Sequence, residues 1–251
     1  MKVAILGNKG GVGKTMIAAH LAWGLAEHYP TLLFDTDYAQ GSAFRWVTGR
    51  EFPHPDTIYR IPDWPGLRVM VVSRENVKNI KHIIAQREED FFVIDGRPEP
   101  YVSAQIAESL DYEDIAILPI DSASVDSIRQ VKELWRTIQE AKADRAKYYV
   151  VVNKLNPNSE VSQRWITAIE NLGLRYLLAI PASEMFPISE KTHVPMWELR
   201  LGTRLGAFAK IEQLINYVLS HYNARSVPEL RGLRRFYAQP TTSEGVSGRN
   251  S

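Results

Sequence analysis

The sequence predicts an α/β fold, with a doubly wound, mostly parallel sheet flanked by helices. Three observations predict it. Short apolar runs alternate with longer helical patterns, as they do in βαβ units. The first run passes straight into a glycine-rich loop and then a helix. Three later runs end on Asp35, Asp95 and Asn153. Ligands of open parallel sheets sit beyond the carboxyl ends of the strands, so these three polar residues point toward one crevice.

The elements follow in chain order. Residues 2–6 form the first strand. Residues 16–26 are apolar on nearly every face, which predicts a deeply buried helix. The second strand covers 31–34. Residues 51–65 hold four prolines and read as an irregular excursion. A strand over 67–72 precedes a polar helix near 75–86. Strands over 91–94 and 115–118 come next. Val125, Ile128, Val131, Leu134 and Ile138 then give a helix one apolar face. Strands over 148–152 and 176–180 precede a last long helix, marked by Leu205, Phe208, Ile211, Ile215 and Val218. His20, Trp23, Trp135 and Trp165 fall within helical patterns and read as core. Residues 1–222 thus form one domain, and 223–251 read as a basic, flexible tail.

Composition narrows the chemistry. The chain has 251 residues and a formal net charge of +1, so any contact with nucleic acid needs a local basic patch. Residues 222–251 supply one candidate, with five arginines against two glutamates. Lys78, Lys81, Arg87, Arg129, Lys132 and Arg136 lie on helix faces, where solvated charge is the default. There are no cysteines, which excludes disulfides, thiol catalysis and cysteine-held iron–sulfur clusters. The six histidines show no zinc-ligand spacing. No apolar run reaches the roughly 18 residues of a membrane-spanning helix. The first residues lack the pattern of a signal peptide, so the expected location is cytoplasmic.

The glycine-rich loop is Asn8-Lys9-Gly10-Gly11-Val12-Gly13-Lys14-Thr15. Glycines let successive N–H groups curl inward around phosphate, and the following helix adds the positive end of its dipole. Lys14 would reach the β and γ phosphates of ATP, and the Thr15 hydroxyl would ligate Mg²⁺. Asp95, at the end of the apolar strand over 91–94, can hold Mg²⁺ through water. Gly96 would let the chain pivot there. Asn153-Lys154-Leu155-Asn156 lacks the carboxylate that reads guanine, and an amide suits adenine better. A loop asparagine capping the next helix remains the alternative for Asn153.

The loop resembles that of the deviant Walker ATPases, which include ParA partition proteins and MinD, and the likeness covers roughly residues 1–220. It implies a P-loop NTPase fold. It also implies a nucleotide-binding set of Lys9, Gly10, Gly11, Val12, Gly13, Lys14, Thr15, Met16 and Asn153. In that family the lysine matched by Lys9 crosses to a partner subunit's nucleotide in an ATP-bound homodimer; a solvated surface lysine is the alternative. Asp35-Thr36-Asp37-Tyr38-Ala39-Gln40-Gly41 resembles the family's Asp-x-Asp-Pro-Gln-Gly. This places Asp35 near the metal and Asp37 beside the attacking water, with Lys9, Lys14 and Asp37 as the catalytic set. A helix N-cap is the alternative for Asp37. Two departures stand out. Tyr38-Ala39 replaces a single proline, and Arg97 is foreign to the second acidic motif, Asp95-Gly96-Arg97-Pro98.

The resemblance implies a nucleoid-associated ParA-like ATPase that segregates a plasmid or chromosome or positions a cargo. It would dimerise on ATP, bind DNA without sequence preference and work with a ParB-like or small DNA-binding adaptor. Two rivals stand beside it. One is a MinD-like membrane-cycling ATPase, and the other is a non-catalytic or conjugation-associated P-loop binding module.

Overall fold

The computed structural model describes residues 1–226, apart from Phe52, Val125, Pro157, Ser159, Ser162 and residues 200–205. The tail from 227 to 251, including Arg231, Arg234 and Arg235, lies outside the described residues, as do Val125 and Leu205.

Eight strands make one sheet. In chain order they are β1 (Lys2–Ile5), β2 (Thr31–Asp35), β3 (Ile58–Ile61), β4 (Trp64–Val71), β5 (Phe91–Asp95), β6 (Ile115–Asp121), β7 (Lys147–Leu155) and β8 (Arg175–Pro181). Their spatial order is β3-β4-β2-β5-β1-β6-β7-β8. Every pairing is parallel except β3 with β4. Parallel strands need crossovers, and helices supply them: α1 (Lys14–Ala26), α2 (Ser42–Thr48), α3 (Ile80–Ala85), α4 (Pro100–Glu108), α5 (Ser127–Glu140) and α6 (Gln163–Glu170), while α7 (Met185–Thr192) and α8 (Ala207–Ser226) follow β8. One apolar cluster joins the sheet to α1, α2 and α8, and a second covers the other face beneath α4 and α5. The result is the doubly wound α/β architecture of a P-loop NTPase.

Helix α1 explains its own placement. Eleven of its thirteen residues are buried, including His20 and Trp23, so it is apolar all round because it is enclosed all round. Its Gly24 leaves no room for a Cβ, which would sit 2.3 Å from Ile215 of α8.

Three sequence expectations need correction. Residues 51–65 are not irregular throughout, because β3 and β4 form an antiparallel hairpin turned by Pro62-Asp63. Pro65 is tolerated there because β2 first pairs with β4 at Leu67, and because the hairpin register shifts between Arg60 and Ile61. The helix near 75–86 is a 3₁₀ turn, Val77–Asn79, followed by the short α3. The last helix runs past Tyr222 to Ser226, where the sequence reads as extended chain.

Candidate functional site

Strands β2, β5 and β1 are neighbours, so three functional segments emerge at one sheet edge. Asp35 and Asp95 are register partners across β2 and β5. The glycine-rich loop leaves β1 beside them. Gly11 and Gly13 adopt φ of 76° and 94°, a region that costs an L side chain steric strain. Gly13 is also walled in, since a Cβ there would stand 2.0 Å from Asn153 Nδ2. Gly13 precedes α1, whose first turn has no side-chain cap and no acidic residue. Its leading N–H groups and dipole therefore favour an anion.

Three hydrogen bonds fix the loop. Asn153 Nδ2 donates to the Val12 carbonyl at 2.8 Å, and Asn8 Nδ2 donates to the Gln130 carbonyl at 3.2 Å. Lys14 Nζ donates to the Lys9 carbonyl at 2.7 Å. Lys14 is buried, and burial lowers its pKa, while Asp95 and Asp37 act the other way.

The acidic residues divide the work. Asp35 is fully enclosed, and backbone amides occupy its carboxylate. Oδ1 accepts from Asp37 N and Oδ2 from Phe44 N, each at 3.0 Å. It therefore ties the loop after β2 to the first turn of α2. Asp95 Oδ2 accepts the Thr15 hydroxyl at 2.7 Å, whereas Asp95 Oδ1 is buried without a hydrogen-bond partner. Burial raises the pKa of both carboxyls, and Asp35 raises that of Asp95 further. A buried carboxylate oxygen left unsatisfied beside a hydroxyl suits a hard divalent cation. Thr15 and Asp95 thus fit Mg²⁺, with Asp35 holding the loop behind them. Among the described residues no group of three His, Asp or Glu could hold a metal, so phosphate and water would complete its shell.

Asp37 is not the N-cap of α2. That position is Gly41, with φ of 58° and no side-chain cap. The Asp37 carboxylate instead approaches Arg97 Nε at 3.9 Å. Thr36, which sequence reasoning missed, stitches the two acidic loops together. Its hydroxyl donates to the Asp95 carbonyl at 2.7 Å and accepts Arg97 N at 2.9 Å. Only its place between two aspartates could have flagged it. Gly96 is required for packing, since a Cβ there would stand 2.6 Å from the Ile5 carbonyl.

These groups border a cavity of about 570 Å³. Of the predicted residues, Gly10, Gly11, Gly13, Lys14, Thr15 and Met16 line it, as do Asp37, Asp95 and Asn153. Val12 and Asp35 lie behind its wall. Lys9 is exposed outside it, with Nζ 3.4 Å from Ser124 Oγ. The far wall carries Trp46, Pro181, Phe186 and Pro187, an apolar surface suited to a planar base.

A glycine loop with a buried lysine at a helix start, and a neighbouring helix hydroxyl bonded to a carboxylate at the end of the adjoining strand, defines a P-loop nucleotide-binding protein. The model of the CobQ/CobB/MinD/ParA nucleotide binding domain matches residues 3–196. The chain belongs to that family and is a ParA/MinD-type ATPase. Maintenance of carboxysome distribution protein A of Halothiobacillus neapolitanus is 27% identical over 228 residues, covering 86% of this chain and 95% of that one. Two solved structures share the fold at lower identity. The MinD cell division protein of Aquifex aeolicus has a TM-score of 0.69 at 16% identity, covering 87% of this chain and 96% of its own. Apo McdA of Cyanothece has a TM-score of 0.69 at 15% identity, covering 88% and 98%.

Proposed function

We propose that this ATPase binds MgATP in the cavity, dimerises in the ATP state, and positions a large cargo over nonspecific DNA with an adaptor protein. The observation that carries the reading is the separation of the two loop lysines. Lys14 is buried at the phosphate loop, while Lys9 is exposed outside the cavity, free to meet a second subunit's nucleotide. Phosphoryl transfer gains mostly from positioned positive charge, and a cation from each subunit supplies it. Mg²⁺, when bound, would neutralise charge between the phosphates. Asp37 borders the same cavity and would orient the attacking water. The 27% identical relative is named for carboxysome distribution, which supports cargo positioning over other uses of the fold.

The DNA contact belongs to the tail rather than to α5. On α5, Arg129 pairs with Asp126 and Glu133, and Arg136 pairs with Glu140, so that face is mixed in sign. The test compares retention on random duplex DNA with sedimentation on anionic vesicles, with ATP and with ADP. The expected result is ATP-dependent DNA retention that falls steeply with salt as counterions are released. Arg231, Arg234 and Arg235 changed together to Glu should abolish it on every sequence. ATP-dependent vesicle binding without DNA retention would replace this reading with a membrane-cycling one. Failure to hydrolyse ATP in any state would make the chain a binding module.

A further inference from the structure

The two places where this chain departs from the resembling pattern touch each other. Tyr38 belongs to the one-residue expansion after Asp37, and Arg97 is foreign to the motif after Asp95. The Arg97 guanidinium lies over the Tyr38 ring, 4.9 Å from its centroid. Its Nε is 2.8 Å from Glu99 Oε1 and 3.9 Å from Asp37 Oδ1. Its backbone N–H is held by the Thr36 hydroxyl. Arg97 is absent from the lining of the cavity, whereas Asp37 and the flanking Gly96 and Pro98 border it.

We infer that Arg97 and Tyr38 form a clasp between the two acidic loops, and that Arg97 is a positioning residue for Asp37 in ATP hydrolysis. The inference rests on the role given to Asp37 above. A guanidinium is suited to this task because its plane stacks on an aromatic ring while its edge faces carboxylates. Arg97 thereby fixes the loop that carries Asp37 without touching nucleotide. Glu99 shares the same Nε at the closer distance, so a movement of the loop after β5 changes how closely Arg97 approaches Asp37. Hydrolysis is then tuned through orientation rather than nucleotide affinity, since a small misplacement of a water-positioning group costs rate before it costs binding.

The test is a kinetic cycle on the full chain, by single-turnover ATP hydrolysis and by mant-ATP titration. Arg97→Ala should lower the hydrolysis rate by roughly tenfold and leave ATP affinity within about twofold. Arg97→Lys should restore only part of the rate, because charge returns without the planar stack. Tyr38→Ala should lie between wild type and Arg97→Ala. In an Asp37→Ala background, Arg97→Ala should add nothing, because the two residues act as one unit. An equal loss in both backgrounds would overturn the inference, as would a normal rate in Arg97→Ala. So would a loss matched by falling ATP affinity and melting temperature, which marks a merely structural role. Normal turnover in Asp37→Ala alone would instead remove the assignment on which the inference rests.

Discussion

Two buried charge clusters sit near opposite ends of the central strand β1, and they are built on opposite principles. At its start, Lys2 Nζ lies 2.9 Å from Asp111 Oδ2 and 3.0 Å from Asp114 Oδ2. Asp114 also accepts the backbone N–H groups of Lys2 and Asp111 at 2.8 and 2.9 Å. Cation and carboxylates satisfy one another, and the Lys2 hydrogen bond pulls the Asp111 pKa below its ordinary value. Beyond the end of β1, Lys14 spends its ammonium on a carbonyl, Asp95 keeps a buried oxygen with no partner, and the Asp35 and Asp95 pKa values rise. The same residue types thus make a closed staple at one end and an open site at the other. Unsatisfied buried charge destabilises the fold unless something arrives to complete it. That asymmetry marks the functional end without reference to any motif.

The comparison breaks most sharply at Lys14 and Asp95. Lys14→Ala should weaken MgATP binding by at least about a hundredfold, because phosphate charge loses its buried cation. Asp95→Asn should lose the Mg²⁺ dependence of nucleotide affinity. Its nucleotide-free melting temperature should equal or exceed that of wild type, since the change removes a buried acid whose ionised form is uncompensated there. Isothermal titration and thermal denaturation without nucleotide measure both quantities. A large fall in the melting temperature of Asp95→Asn would show that the open cluster is a staple after all.

The closed cluster should answer in the opposite way. Lys2→Met leaves Asp114, which is 2% exposed, without its cation. The cost should be on the order of 3 kcal/mol in urea unfolding. Nucleotide affinity should stay within about twofold, since Lys2 lies at the far end of β1 from the loop. Lost affinity with retained stability would reverse the roles of the two ends.

The legibility of the sequence follows the same division. Helix α1 and the strands from β5 to β8 were readable because burial on both faces writes continuous apolar runs. The strand over 67–72 caught most of β4, but β3 and the start of β4 were hidden because four prolines outweighed a pattern that only a bulge could rescue. Backbone amides could not be read at all. Asp35 was assigned to the metal from its motif, yet two N–H groups supplied by the chain's own path occupy its carboxylate. Asn153 was assigned to adenine, and its amide braces Val12 at the edge of the cavity. Contacts made by carbonyls and amides leave no residue-type signature, so the sequence pointed to side chains that gather at one cavity but not to the backbone groups that hold them.

His20 sharpens the comparison from a third side, as a buried polar group that is fully partnered yet neutral. Its Nδ1 lies 2.8 Å from the Met16 carbonyl and must donate the proton there, which leaves Nε2 to accept from Met196 N at 3.4 Å. Rings of Trp23, Trp46, Phe186 and Trp197 surround it edge-on. Burial depresses its pKa to about 4. The folded value lies below the unfolded one, so this contribution is present above about 6.5 and is lost as the pH falls through about 4. Between pH 7 and pH 5 the loss amounts to about 2 kcal/mol, because the unfolded chain takes up the proton and the folded one does not. His20→Gln carries no titrating group. Whatever its absolute stability, its unfolding free energy should vary less with pH than that of wild type by about that amount. Urea denaturation of both proteins at pH 7 and pH 5 measures the difference. Parallel slopes would mean that folded His20 takes up its proton as readily as the unfolded one, and that water reaches the ring-lined pocket joining α1 to α7.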